Sequence, residues 1–402
     1  MRQFDRWLGV PICFILTLIR KINDALRPKR CSQIKRILFV KLAEQGATVL
    51  AASAICKAAK MVGRENVFFL VFEENRFILD TMELIPYENV ISIPSKNIFS
   101  VIWGTLRAVW RMRKEKIDTA IDMEFFARSS AILTYLSGAG KRIGFHAFAS
   151  EASSRGDLMT HRLSYNDRLH ISQIFELMVD ALNAPAETLP AFNIAPPPAQ
   201  QDIPLFNPKP QETEEVRDML LKEMNVDKGA PLILLNANCS DILPLRRWPE
   251  GRYVELASRL IEEYPQIYIA FTGAPSETHY AQQLVDQVGS RRCFSLAGKT
   301  TLRQLIVLYT LAKVLVTNDS GPAQFATLTP IEVITLFGPE TPLLFGAKTS
   351  RNHILWSGIV CSPCVNAYND RLSPCRNNLC MQQISVEEVF EKVCQVYEKL
   401  AG

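Results

Sequence analysis

Eight of the 23 prolines fall between positions 185 and 210, among them Pro196-Pro197-Pro198. Each proline fixes φ and removes a backbone donor, so this interval excludes a helix interior or a central strand and reads as a semi-rigid linker. It divides the 402-residue chain into two stretches of similar length, each long enough to bury its own core. On the N-terminal side, apolar runs at 36–41, 67–71, 90–93 and 119–121 alternate with helical patterns at 49–61, 99–113 and 125–136, and a helix-rich stretch at 161–182 closes the series. On the C-terminal side, runs at 232–236, 267–271, 314–317 and 333–337 alternate with helices expected at 251–263, 276–288, 302–311 and 322–328. Such alternation predicts parallel sheets with crossover helices. Two Rossmann-like α/β domains are therefore expected, 36–184 and 211–384, joined by the linker 185–210 and followed by a helix at 385–402. Ligands of such sheets bind at the carboxyl ends of the strands, here in a cleft between the lobes.

Composition narrows the partners. With 45 basic against 41 acidic residues the formal charge is only +4, too weak a bias for a nucleic-acid binder and compatible with small anionic ligands or an anionic membrane surface. The N-terminal segment, 1–35, stands apart. Residues 7–19 form an uncharged run of 13, short of the ~20 needed to span a bilayer as a helix, and Arg20 and Lys21 follow at once without a small-residue cleavage site. From Arg20 to Arg36, seven basic residues, Arg20, Lys21, Arg27, Lys29, Arg30, Lys35 and Arg36, accompany a single acid, Asp24. An apolar segment entering the interface beside a basic one at the headgroups suits monotopic attachment to the cytoplasmic leaflet. The other readings are an extra helix packed on the catalytic body, or a true span.

Three strand-to-helix turns carry residues suited to a phosphorylated ligand. In Thr317-Asn318-Asp319-Ser320-Gly321-Pro322 a strand ends and a helix opens on proline, so backbone N–H groups and the Ser320 hydroxyl can face a diphosphate. Asp319 is a helix cap or a ligand for a sugar hydroxyl. Asn238 precedes Arg246-Arg247-Trp248-Pro249-Glu250, where an arginine fork can neutralise phosphate oxygens or simply lie on a solvated face. In Gly273-Ala274-Pro275-Ser276-Glu277 the carboxylate of Glu277 can cap its turn or accept ribose hydroxyls.

In order and spacing, these segments resemble glycosyltransferase family 9, the group that includes the lipopolysaccharide heptosyltransferases. The resemblance runs through Ile37-Leu38-Phe39-Val40-Lys41 with Gly46, Lys141-Arg142-Ile143-Gly144-Phe145, Thr160-His161-Arg162, Arg247-Trp248-Pro249-Glu250, Thr272 to Glu277, Leu296-Ala297-Gly298-Lys299-Thr300, Asn318 to Pro322, Leu336-Phe337-Gly338-Pro339 and Cys361-Ser362-Pro363-Cys364. It implies GT-B architecture, with the acceptor mainly on the N-terminal domain and the nucleotide sugar mainly on the C-terminal one. It implies donor contacts at Asn238, Arg246, Arg247, Gly273, Glu277, Asp319, Ser320, Gly321, Pro322 and Gln324. Arg246 stands where the family has a phosphate-binding lysine. Lys41, Gln45, Gly46 and His161 are the expected acceptor side.

Two positions depart from the family pattern. Its first glycine loop runs Gly-Asp, with the Asp as base for the acceptor hydroxyl; here the pair is Gly46-Ala47, and alanine takes no proton. The usual His after Asp-Ser-Gly is Gln324, which hydrogen-bonds but does not titrate. Glu44, three residues before Ala47, is the candidate replacement base; its other reading is a solvated or capping carboxylate.

Four cysteines, Cys361-x2-Cys364-x10-Cys375-x4-Cys380, crowd the loop 361–380. They read as a structural zinc or iron–sulfur site, as reduced thiols, or as disulfides. No cofactor is expected for catalysis itself. The resemblance implies inverting transfer of a sugar, by default heptose from ADP-heptose, to a lipid-linked glycan such as lipopolysaccharide core, at the membrane surface and without nucleic acid. Two other classes stay open: a nucleotide-sugar epimerase of GT-B-like fold, and a non-catalytic sugar-nucleotide-binding scaffold in polysaccharide assembly.

Overall fold

The computed structural model describes residues 5, 7–26, 33–148, 154–186, 195–198, 205–239, 243–369 and 371–401. The basic residues Arg27, Lys29 and Arg30 of the N-terminal segment, and much of the expected linker, lie outside the described residues. The chain divides into two compact units, Met1–Ala199 with Ala367–Asp370, and Gln200–Asn366 with Arg371–Gly402.

Unit 1 contains helix α1 (Gly9–Leu26), strand β1 (Ile37–Val40), α2 (Gln45–Leu50), α3 (Ala52–Val62), β2 (Val67–Phe72), α4 (Arg76–Met82), β3 (Val90–Ile93), α5 (Ile98–Lys114), β4 (Thr119–Asp122), α6 (Arg128–Leu136), β5 (Lys141–Phe145), β6 (His161–Leu163) and α7 (Ile171–Asp180). Its sheet is six-stranded and parallel in the order β3-β2-β1-β4-β5-β6. The chain winds outward from β1 to β3 and then restarts at β4, so the switch point lies between β1 and β4. The apolar runs predicted for the central strands are fully buried. Two features differ from expectation. The single helix predicted at 49–61 is two, meeting at Ala51. The stretch from 161 opens on a strand rather than a helix, because β6 is only three residues long and carries no apolar run. β5 was hidden in a similar way: Arg142 is buried inside it, donating to the carbonyls of Leu158 (2.7 Å) and Ala139 (2.6 Å), and hydropathy does not reveal a cation satisfied by backbone.

Unit 2 contains α8 (Pro210–Asp218), β7 (Leu232–Asn236), α9 (Glu250–Glu263), β8 (Tyr268–Phe271), α10 (Thr278–Val288), β9 (Cys293–Ser295), α11 (Leu302–Leu311), β10 (Val314–Asn318), α12 (Gly321–Ala326), β11 (Glu332–Phe337), α13 (Pro342–Phe345), β12 (Asn352–Trp356), α14 (Leu379–Gln382) and α15 (Val386–Ala401). Its six parallel strands run β12-β11-β10-β7-β8-β9, with the switch point between β7 and β10. Trp248, Tyr253, Leu256 and Leu260 pack α9 against β7 and β8, and Val389, Val393 and Tyr397 bring α15 onto the same core. The α/β class predicted for both halves is the class observed.

Candidate active site

The switch point of unit 1 gathers an ion cluster. Lys41 directly follows β1 and is completely buried, its ammonium donating to Glu44 at 3.2 Å and to Glu124 at 3.0 Å. Glu124 lies two residues beyond β4, the strand paired with β1. Its second oxygen accepts the backbone N–H groups of Leu42 (2.9 Å) and Ala43 (3.1 Å), and its side chain is only 12% exposed. Glu44 shares the same lysine but is 36% exposed. It occupies the N-cap position of α2 without a side-chain capping bond, in the left-handed region at φ 69°, a conformation that costs a non-glycine residue about 1–2 kcal/mol. Of the two carboxylates, Glu124 is built into the loop and Glu44 is the one that reaches solvent.

Glu124 is in turn held by a buried pair beneath it. Asp122, the last residue of β4, accepts from Arg155, from Ser130 at 3.0 Å and from the backbone N–H of Glu124 at 3.1 Å. Burial raises the Asp122 carboxyl to about 6 against the opposing pull of Arg155. Arg155 also donates to the carbonyls of Phe125 (3.0 Å) and Ala127 (2.9 Å), pinning the segment that carries Glu124. Neither Glu124, Asp122 nor Arg155 was singled out from sequence; the available signal was a buried strand ending in two carboxylates two residues apart. Gln45 donates to the Glu74 carbonyl at 2.6 Å, and Gly46 lies with it in the first turn of α2. His161 is elsewhere. It opens the short edge strand β6 in register with Ile143 of β5, and its ring nitrogens engage Thr160 (2.9 Å) and the Ala184 carbonyl (3.1 Å).

In unit 2 the loops after β7 and β10 are tied together by Asn318, which donates to the carbonyls of Ala237 and Asn238, both at 3.2 Å, and accepts from the Trp248 backbone at 3.0 Å. Trp248 is anchored in the core by its indole N–H on the Ile384 carbonyl, 2.8 Å. This framework presents Arg246 near Asp319 at 3.8 Å and near Glu340 at 4.0 Å, while Arg371 approaches Glu340 at 3.3 Å. Arg246 Nε, Asp319 Oδ2, Gln324 Oε1 and Glu340 Oε1 are all buried and none completes an aligned hydrogen bond, although both carboxylate oxygens face arginines as ion pairs. Buried polar atoms are nearly always satisfied, so a knot of four such atoms marks a place shaped for a polar ligand. Burial, and then the neighbouring Glu340 carboxylate, push Asp319 well above the ordinary carboxylate range.

The other donor-side residues lie close by. A cleft of about 830 Å³ is lined by Asn238, Arg247, Glu250, Glu277, Tyr280 and Asn378 among others. Glu277 accepts the Ala274 backbone N–H at 2.6 Å, so the capping reading of its carboxylate holds in this state. A side chain at Gly273 would meet the Glu277 carboxylate at 2.9 Å and the Asn238 amide at 3.2 Å, so it would displace both. Helix α12 opens at Gly321 with Pro322 in its first turn, but Ser320 bonds back to the Asn318 carbonyl at 3.1 Å rather than capping the helix. Gln324 donates to Phe345 at 2.8 Å. Glu340, Arg371, Tyr280 and Asn378 were not foreseen.

Among the described residues, no three His, Cys, Asp or Glu side chains are gathered for an ion. The predicted set is instead divided by burial. Cys361 and Cys375 are exposed free thiols, Cys364 accepts from Ser373 at 3.4 Å, and Cys380 is a buried thiol on α14. Burial foremost, then the other three sulfurs, raise the Cys380 thiol to about 11.

With this geometry in view, comparison with known proteins is informative. Residues 106–373 match the model of glycosyltransferase family 9 (heptosyltransferase). Lipopolysaccharide heptosyltransferase 2 of Salmonella typhimurium is 30% identical over 149 residues, 36% of this chain and 42% of the relative, so the chain spans under half of that protein in the matched stretch. Lipopolysaccharide heptosyltransferase 1 of Campylobacter coli is 21% identical over 364 residues, covering 90% of this chain and 99% of the relative. The solved structure of Escherichia coli ADP-heptose lipopolysaccharide heptosyltransferase II superposes with a TM-score of 0.67 at 17% identity, over 91% of this chain and all of that one. That likeness establishes the two-Rossmann GT-B fold. Because the family model takes in more than half of the chain, from within α5 to beyond the first cysteines of the loop, the chain belongs to glycosyltransferase family 9 (heptosyltransferase).

Proposed function

We propose that this protein is an inverting heptosyltransferase, moving heptose from ADP-heptose to a lipid-linked lipopolysaccharide core sugar at the cytoplasmic face of a membrane. The observation that carries the reading is the knot of buried polar atoms without an aligned hydrogen bond on Arg246, Asp319, Gln324 and Glu340 at the unit 2 switch point. A diphosphate sugar supplies anionic oxygens for the arginine and hydroxyl donors for the carboxylate and amide oxygens. The relatives, lipopolysaccharide and ADP-heptose heptosyltransferases, support the choice of donor and acceptor.

In this mechanism Glu44 takes the proton from the acceptor hydroxyl, whose oxygen attacks the anomeric carbon as the bond to the diphosphate breaks. Arg246 neutralises charge developing on the leaving ADP, with no metal required. Asn238, Arg247, Gly273, Glu277, Ser320, Gly321 and Pro322 frame the nucleotide, and Lys41, Gln45 and Gly46 shape the acceptor turn. Attachment to the membrane uses α1. That helix packs on α6 through Cys13 and ties to the body by Arg20 on Asp157, while Phe14, Ile15 and Leu18 on its outer side are exposed. Among the described residues, no helix is long and apolar enough to cross a membrane.

The test is a product assay with purified protein, lipid-linked core acceptor and radiolabelled nucleotide sugars in EDTA. Labelled glycolipid is expected with ADP-heptose. Binding of nucleotide sugar with no product from any donor would replace the transferase by a scaffold, and a changed sugar without acceptor would replace it by an epimerase.

The raised Asp319 carboxyl gives a second expectation. A diphosphate beside it adds negative charge, so binding favours the protonated form and takes up a proton. ADP affinity therefore falls as pH rises through neutrality, by at most about tenfold per pH unit for a single proton. Calorimetric titration of wild type and Asp319→Asn, compared at each pH so that ionisation of the nucleotide cancels, should show the steeper decline in the wild type. Parallel curves would remove Asp319 from the phosphate environment.

A further inference from the structure

Helix α5 is built with its small residues inward and its large ones outward. Gly104, Ala108 and Met112, spaced four apart, form its buried stripe, and Gly104 lies so close to Pro94 that a Cβ there would sit 2.5 Å from the ring. The opposite stripe, Phe99, Trp103, Leu106 and Trp110 at steps of four, three and four, is exposed at 80%, 74%, 54% and 62%. Such spacing places all four on one helix face. A soluble surface scatters apolar residues singly; a continuous aromatic stripe marks a surface that something covers.

Charge identifies what covers it. Helix α5 carries Arg107, Arg111, Arg113 and Lys114 and no acidic residue at all. Arg107, Arg113 and Lys114 are exposed, and the Lys114 ammonium lies 5.0 Å from the Trp110 ring centre. Tryptophan with lysine and arginine along one flank is the composition of a helix lying at headgroup depth in an anionic bilayer. The placement agrees. α5 and α6 share one core cluster through Ala108, Met112 and Leu133, and α1 packs on α6. The two helices with exposed apolar faces therefore lie on the same side of the unit 1 sheet.

We propose that α5 is a second membrane-docking element, which together with α1 seats unit 1 on an anionic phospholipid surface. This rests on the membrane-surface part of the proposed function and is independent of the donor chemistry in unit 2. Two anchoring elements give the stable attachment that a single weak one does not.

The test is sedimentation of the full chain with vesicles of phosphatidylcholine alone or mixed with phosphatidylglycerol. It needs neither donor nor acceptor, so it reads out even if the transferase assignment fails. Wild type is expected to sediment with the anionic vesicles only. The double variant Trp103→Glu/Trp110→Glu, whose sites are solvent-exposed and whose folding is checked by thermal melting, should lose binding by roughly tenfold or more. Arg107→Gln/Lys114→Gln should lose most of the preference for anionic lipid. Turnover of a detergent-dispersed acceptor should be unchanged in both. The proposal is overturned if the tryptophan variant binds vesicles like wild type while Phe14→Glu in α1 abolishes binding. It is equally overturned if wild type ignores vesicles and is a dimer that Trp103→Glu/Trp110→Glu splits, since the stripe is then covered by a second copy.

Discussion

Glu44→Gln should lower kcat by roughly a hundred- to ten-thousand-fold, the usual contribution of a general base, and leave the KM for ADP-heptose within a few-fold of wild type. Glutamine has the shape of glutamate and keeps an acceptor oxygen toward Lys41. The buried ammonium also retains Glu124 at 3.0 Å, so the fold and the turn persist while the proton acceptor is lost. The donor-side residues belong to unit 2 and are untouched. Glu124→Gln is the informative control. Its carboxylate holds the Leu42 and Ala43 amides, so this change should destabilise the loop and raise the KM for acceptor before it affects the chemical step. A Glu44→Gln enzyme with activity close to wild type would reduce Glu44 to a bracket for Lys41 and send the search for the base elsewhere.

Residues in strand-to-turn segments were legible because each such segment is contiguous. β7 lies where its apolar run predicted, and β1 and β10 within a residue of theirs, since a strand buried on both faces writes an unbroken apolar word. The turns after them, holding Lys41, Glu44, Asn238, Asp319 and Ser320, follow from the end of that word. What escaped was short or long-range. β6 and β9 are three residues each, below the length at which periodicity speaks, and β12 is only half-buried along its length. Glu124 meets Lys41 across 83 positions, and Glu340 and Arg371 close on Asp319 and Arg246 from other elements. No local pattern announces such partners; the parallel pairing of β1 with β4 and of β7 with β10 creates them. His161, whose motif suggested the acceptor side, opens the edge strand β6 with its imidazole against Thr160 and the Ala184 carbonyl.

The largest effect on stability should come from Arg155→Ala. Its guanidinium is the cation for fully buried Asp122 and also binds the carbonyls of Phe125 and Ala127. Removing one member of a buried pair leaves an uncompensated charge and typically costs about 3–5 kcal/mol. The penalty should depend on pH in a defined direction. The Asp122 carboxyl is already raised to about 6 in the folded protein, so the native state binds more protons than the unfolded state between the ordinary carboxylate range and that value. Its contribution is present at low pH and is lost as pH rises. Without Arg155 the carboxyl moves higher still, because the cation that opposed desolvation is gone. Denaturant melts should therefore show a small difference between Arg155→Ala and wild type near pH 5, widening toward pH 8, and Asp122→Asn in the same background should recover much of the loss at pH 8. A penalty independent of pH would mean that the arginine acts through its carbonyl contacts alone. Because those contacts position Glu124 and hence Lys41 and Glu44, the variant should also lose turnover under conditions where it is fully folded, which links the buried pair beneath β4 to the proton transfer above it.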